Sequence, residues 1–273
     1  MRPRLTVAVG QMNSTDDVAE NLASITSMVE EAAGQGADLV TLPENAPLLA
    51  PDRARLAAVE PLDGRQVTEL RTLAQRHSVA IALGSFAETG PDDTHSYNTS
   101  VFIDEQGEIA GVYRKMHLFD VQVADDTAFR ESDSVCAGPA TPVQVAWRGW
   151  SIGLSICYDL RFPELYRAHA AAGTNLLLVP AAFTFRTGAA HWDVLLRARA
   201  IENLSWVVAS AQVGRHYGRR ESWGHGLAVS PWGEVVASCG GGDEGMVLAT
   251  LEPSAVDEAR ARIPALHHRR IGR

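Results

Sequence analysis

Cys157, Glu44 and Lys115 are the residues of this chain whose types and positions could do chemistry together. The run Ser151-Ile152-Gly153-Leu154-Ser155-Ile156 reads as an apolar strand that stops on Cys157. Tyr158-Asp159-Leu160-Arg161-Phe162-Pro163-Glu164 then reads as a polar turn and the start of a helix. A thiol at such a junction sits among unpaired backbone N–H groups, which lower its pKa and suit a nucleophile. Read by itself, the segment is equally a buried, inert cysteine, because free cysteine is often core. Glu44 follows the strand-like Asp38–Pro43, and Lys115 follows Ile109–Arg114. Strand ends in α/β sheets border the crevice where ligands bind, so the three side chains could meet there. Each alone is ordinary; the shared context is the signal.

The elements that must position them alternate between strand and helix. Leu5–Val9 is expected to be a strand, and Asp17–Ala33 a helix from the spacing of Val18, Leu22, Ile25, Val29 and Ala32. Asp38–Leu42 and Val79–Gly84 read as strands around a helix at Gln66–Arg76, and Thr99–Ile103 with Ile109–Arg114 as a hairpin. The second half repeats this order. Gly36–Pro43 resembles Gly173–Pro180, Trp206–Ala211 answers Val79–Ser85, and Ser230–Val235 answers the hairpin turn. Two similar β-α-β-rich halves imply two sheets packed together with helices outside, a four-layer α-β-β-α sandwich. No linker or low-complexity tract interrupts residues 1–273, so one domain is expected, with a C-terminal tail from about residue 263.

Bulk properties narrow the setting. A net charge of −9 argues against a nucleic-acid or anionic-membrane partner. Cys136, Cys157 and Cys239 are odd in number and widely spaced, giving neither a disulfide framework nor a zinc site. The start lacks the apolar core of a secretory signal, and the apolar run Leu176–Phe183 is too short to cross a bilayer. A cytoplasmic location is expected. There is no P-loop or H-E-x-x-H motif, and no cofactor and no metal are expected.

Leu42-Pro43-Glu44, Tyr113-Arg114-Lys115-Met116-His117-Leu118 and Cys157–Glu164 resemble the three motifs that carry the Glu–Lys–Cys triad of the nitrilase (carbon–nitrogen hydrolase) superfamily. That family has the same four-layer fold. Phe119-Asp120-Val121, Arg130-Glu131-Ser132, His191–Glu202 and Trp223–Gly226 are similar to the Nit amidases. Tyr158-Asp159 stands where true nitrilases usually carry Trp-Glu, which implies an amidase. The segment Ala211–Arg220 resembles the branch that acts on deaminated glutathione; the alternative is an ω-amidase acting on α-ketoglutaramate or α-ketosuccinamate. Other carbon–nitrogen hydrolases, such as aliphatic amidases and carbamoylases, fit less well.

The resemblance implies a role for each residue. Cys157 would attack a small carboxylate-bearing amide and form a thioester, with acid and ammonia as products. Glu44 would take the thiol proton, return it to the leaving nitrogen and then activate water. Lys115 and the Tyr158 N–H would face the oxyanion. Glu131 would be a second carboxylate holding Lys115, although by itself it is an ordinary loop glutamate. Arg161 is a candidate for gripping the substrate carboxylate, with Arg186 and Arg215 behind it; an ion pair of Arg161 with Asp159 or Glu164 reads as well. Tyr158, Phe183 and Phe185 would line the pocket unless they are simply core. His117 and His191 are read as structural. The resemblance also implies a homodimer. A Cys–His hydrolase would leave Glu44 and Lys115 without a role, and a non-enzymatic relative would not need all three residues intact.

Overall fold

Apolar residues in this chain alternate along its strands, and that alternation sorts them into two cores. The computed structural model describes residues 2–124, 127–218 and 220–271. One sheet runs in the order Glu221–Trp223, Ala211–Arg215, Leu5–Met12, Leu39–Thr41, Ala80–Asp92, His95–Ile103 and Ile109–Arg114. Gly245–Leu251 also pairs antiparallel with Leu5–Met12, and Val135–Cys136 pairs with His95–Ile103. A second sheet runs Val235–Ser238, Leu227–Val229, Trp206–Ala209, Leu176–Leu178, Trp150–Leu154 and Gln144–Trp147.

Leu5, Val7, Val9, Leu39, Ala80 and Ala82 face the second sheet and share a core with Ile152, Leu176 and Val208. Ala8, Val40, Ile81 and Leu83 point the other way, onto the helices Val18–Gly34 and Arg65–His77. The helices Pro163–Ala171 and Phe185–Asn203 supply Leu165, Tyr166, Trp192 and Leu196 to the far side of the second sheet. The result is the α-β-β-α stack expected from the sequence. Each fully buried aliphatic side chain contributes about 1.5–3 kcal/mol to holding the layers together.

The internal repeat is visible in the pairing. Leu5–Met12, Leu39–Thr41 and Ala80–Asp92 lie parallel, followed by two antiparallel strands. Trp150–Leu154, Leu176–Leu178 and Trp206–Ala209 lie parallel, also followed by two antiparallel strands. The helix ends differ by one residue from the sequence expectations, but the strands Ala80–Asp92 and His95–Ile103 run well beyond the expected Val79–Gly84 and Thr99–Ile103, because their pairing continues through the polar residues between them. Asp17 stands outside its helix as the N-cap, accepting from the N–H groups of Ala19 and Glu20. Gly245–Leu251 was not expected, because its unbroken apolar run has no strand period.

The two sheets approach closely where the site forms. At Gly84 an added Cβ would lie 2.1 Å from the Leu42 carbonyl and 2.4 Å from Pro180 Cβ, so only glycine fits between these segments. Ser210 Oγ donates to Thr41 O at 3.0 Å and Gln212 Nε2 to Glu44 O at 3.0 Å, which ties the second half of the chain to the Glu44 segment. Glu44 is thereby fixed between the halves.

Candidate active site

Three strand ends converge on one cavity of about 310 Å³ lined by Glu44, Lys115, Glu131, Cys157 and Tyr158 among others. Glu44 lies just past Leu39–Thr41, Lys115 directly after Ile109–Arg114, and Cys157 just past Trp150–Leu154. The short hairpin Asp120–Ala124 and Thr127–Arg130 ends at Glu131 and delivers it from a loop.

Lys115 Nζ donates to Glu44 Oε1 at 2.9 Å and to both Glu131 oxygens at 2.9 and 3.1 Å. Glu44 Oε2 accepts from the Ala182 N–H at 2.8 Å, and Glu131 Oε2 from the Phe119 N–H at 2.7 Å. The Cys157 thiol lies beside Glu44, close enough for the two groups to act on each other's titration. Cys157 adopts φ +49°, a left-handed conformation that is uncommon outside glycine, and its N–H donates to Pro180 O at 2.8 Å. Tyr158 opens the first turn of the 3-10 helix Cys157–Arg161, where backbone N–H groups have no intrahelical acceptor.

Burial sets the charges of this cluster. It pushes the Glu44 carboxyl up, but the charge and hydrogen bond of Lys115, with those from Cys157 and Ala182, outweigh it and hold Glu44 below the ordinary carboxylate range. Burial pushes Lys115 down, yet the charges of Glu131, Glu44 and Cys157 hold its ammonium above the usual lysine range. Burial and then the Glu44 charge push the Cys157 thiol well above its usual value, and Lys115 offsets this only in part. The expected lowering of the thiol pKa by the helix start is therefore wrong. In the resting site the thiol is neutral beside a carboxylate and an ammonium.

Not every expected substrate contact lines the cavity. Phe185 is exposed and stacks edge-on against Trp223 at 5.0 Å rather than lining the cavity. Arg161 is not among the lining residues, but its guanidinium packs over two that are, 5.2 Å from the Phe183 ring centroid and 5.9 Å from that of Tyr158, and its Nη1 reaches His191 Nδ1 at 3.3 Å. Arg186 and Arg215 are exposed and outside the lining as well. Phe183 and Tyr158 do line it.

Two residues with central positions escaped the sequence reading. Asn98 Nδ2 bridges Glu44 Oε1 at 2.9 Å and Glu131 Oε1 at 3.2 Å. Asp159, fully buried, accepts from Ile156 N–H and Tyr113 O–H through one oxygen at 2.8 and 2.7 Å. Its other oxygen meets the His117 N–H and Nδ1 at 3.1 and 2.7 Å. One carboxylate thus ties the turn of Cys157 to both sides of Lys115. Its position two residues after Cys157 was the only available signal, and an ion pair with Arg161 was the simpler reading. Among the described residues no group of three or more His, Cys, Asp or Glu could hold a metal ion, and no helix is long and apolar enough to cross a membrane.

Residues 6–261 match the carbon-nitrogen hydrolase family. The chain belongs to that family. This carbon-nitrogen hydrolase is 42% identical over 268 residues to the deaminated glutathione amidase of Homo sapiens, covering 97% of its own length and 82% of the relative's. It is 41% identical over 271 residues to the deaminated glutathione amidase of a Synechocystis strain, covering 98% and 99% of the two chains. The crystal structure of the C. elegans NitFhit protein superposes with a TM-score of 0.93 at 38% identity, covering 98% of this chain and 66% of the nematode chain.

Proposed function

We propose that this hydrolase cleaves a small carboxylate-bearing amide through a thioester on Cys157, and that deaminated glutathione is its substrate. The observation that carries the chemistry is a single carboxylate, Glu44, hydrogen-bonded to Lys115 at 2.9 Å and lying beside the Cys157 thiol, whose titration it shifts. As Cys157 attacks, Glu44 takes the thiol proton, so the thiolate exists only when it is needed. Lys115 and the Tyr158 N–H then face the oxyanion. Lys115 arrives already oriented by two carboxylates and need not reorganise during the reaction. Glu44 returns its proton to the leaving nitrogen, then draws one from the water that opens the thioester. Glu131 and Asn98 hold the base and the cation in register.

The name shared by the relatives favours the substrate assignment, and one chemical point refines it. Deaminated glutathione carries a carbonyl where glutathione has its α-amino group, so its leaving group is the amine of a cysteinylglycine dipeptide. The ammonia expected from the sequence is the product for a primary amide such as α-ketoglutaramate. Both substrates leave the same 2-oxoglutaryl group on sulfur. A panel of deaminated glutathione, α-ketoglutaramate, a simple aliphatic amide, a carbamoyl amino acid and a nitrile, scored by the acid released, tests the assignment. We expect the highest kcat/KM on deaminated glutathione. A higher value on α-ketoglutaramate assigns an ω-amidase, and nitrile turnover without amide turnover refutes the amidase reading.

The reading includes a reducing cytoplasmic setting, which its three free thiols favour. It also includes a homodimer. Val194 and Ile201 are 65% and 48% exposed on the helix Phe185–Asn203, and Trp232 beside them is 52% exposed. Such exposed apolar side chains on one helix and the turn packed against it suit a second copy.

A further inference from the structure

We propose that Arg55 receives the carboxylate at the far end of the leaving amine and so favours amides of short peptides over primary amides, an inference that deepens the amidase reading above and rests on it. The cavity does not stop at the reacting groups. Its lining runs on past Asn98 and Tyr97 to Leu49, Ala50, Val135 and Arg55. Arg55 is only 9% exposed, although it is a cation.

A guanidinium so enclosed needs more opposite charge than its surroundings supply. It donates to Ser96 Oγ and, at 2.7 Å, to Ser134 Oγ, both neutral. Among the described residues its one carboxylate is Asp52, at 3.3 Å and with a side chain 66% exposed. Lys115, by contrast, is held between two carboxylates. A buried cation left with hydroxyls and one loose, solvated partner is under-compensated. A planar carboxylate is the group that matches its fork. The other arginines of the lining are less enclosed: Arg130 is exposed, and Arg220 is half-buried with its Nη2 on Ala182 O.

The strand His95–Ile103 measures the distance from this fork to the chemistry. Ser96 and Asn98 are two residues apart on it, so their side chains leave the same face about 7 Å apart. Asn98 Nδ2 donates to Glu44 and Glu131, and Ser96 Oγ accepts from Arg55. The fork therefore stands roughly 7 Å along the strand from the two carboxylates. An extended dipeptide spans about the same length, at roughly 3.3–3.6 Å per residue. Glu44 hands its proton to the departing nitrogen, so a dipeptide amine leaving from that carboxylate ends its chain at Arg55. Ammonia places nothing there.

The test compares three substrates in the full-length enzyme: deaminated glutathione, the same molecule with its terminal carboxylate converted to a carboxamide, and α-ketoglutaramate. The unaltered enzyme is expected to favour the acid over the carboxamide by about 10- to 100-fold in kcat/KM, mainly through KM, because a hydrogen-bonded charge is lost. Arg55→Gln should bring the acid down to the level of the carboxamide, and Arg55→Lys, which keeps the charge without the fork, should fall between. α-Ketoglutaramate, which lacks that end of the molecule, should fall by much less in Arg55→Gln and so reports an intact site. Equal turnover of acid and carboxamide by the unaltered enzyme overturns the proposal and needs no variant. An equal loss on all three substrates in Arg55→Gln also overturns it, as does a collapse of the acid-to-carboxamide ratio in Arg220→Gln instead. Failure of the unaltered enzyme to hydrolyse any of the three refutes the amidase reading itself, a different result from these.

Discussion

At the scale of single residues, the site is a neutral thiol between a carboxylate kept charged and an ammonium kept charged. Glu44 is therefore the residue whose loss should be most telling. Glu44→Gln preserves shape and removes the base; kcat should fall by about 10³-fold. A fall of less than tenfold would contradict the role. The sign of the pH dependence follows from the same geometry. The carboxyl of Glu44 is held below its ordinary value of 4.5, so the acid limb of kcat/KM should lie below that pH. Its contribution to stability is complete above the unfolded carboxylate pKa and is lost as pH falls through the depressed folded value. An acid limb at pH 6 or higher would mean that another group is the base. Cys157, Glu44 and Lys115 were legible because each closes a recognisable strand. The charge state of the thiol was not: burial and a neighbouring carboxylate act against a helix start, and only the folded surroundings show which prevails.

At the scale of elements, Asp159 joins what the sequence keeps apart. The Lys115 segment follows an antiparallel strand of one sheet and the Cys157 turn follows a parallel strand of the other. Asp159 spans them through Tyr113, His117 and the Ile156 N–H. Asp159→Ala leaves these donors buried without an acceptor and should destabilise the protein by about 3–5 kcal/mol in denaturant unfolding. Tyr113→Phe removes one of the bonds and should lower kcat while the protein stays folded. Wild-type stability in Asp159→Ala would contradict the coupling. The helices were legible to within a residue, whereas the long hairpin Ala80–Asp92 and His95–Ile103 outran its apolar signal, since its polar end is held by backbone pairing. Asp159 was not, since its partners at Tyr113 and His117 lie more than forty positions away, and local pairing with Arg161 looked sufficient.

At the scale of the whole molecule, two similar halves stack so that the ends of parallel strands from both sheets meet at one cavity. The repeat of Gly36–Pro43 in Gly173–Pro180 made this architecture readable, because a shared order of elements implies a shared sheet. Arg161 stands next to the catalytic motif and packs over Tyr158 and Phe183 at the cavity, whereas Arg220, which no motif marks, reaches the lining from the turn before Glu221–Trp223. The exposed face of Val194, Ile201 and Trp232 belongs to this scale too. Sedimentation at micromolar concentration should give twice the mass of one chain, and Ile201→Glu should shift it toward the monomer. A monomeric wild type would contradict the dimer.

The most direct test of the thioester is the partition of its acyl group. α-Ketoglutaramate and deaminated glutathione differ in the leaving amine but deliver the same 2-oxoglutaryl group to Cys157. Turnover of each in the presence of hydroxylamine gives hydroxamate and acid. A common acyl-enzyme requires one hydroxamate-to-acid ratio for both substrates. Ratios that depend on the leaving amine, or hydrolysis with no hydroxamate at all, would contradict it.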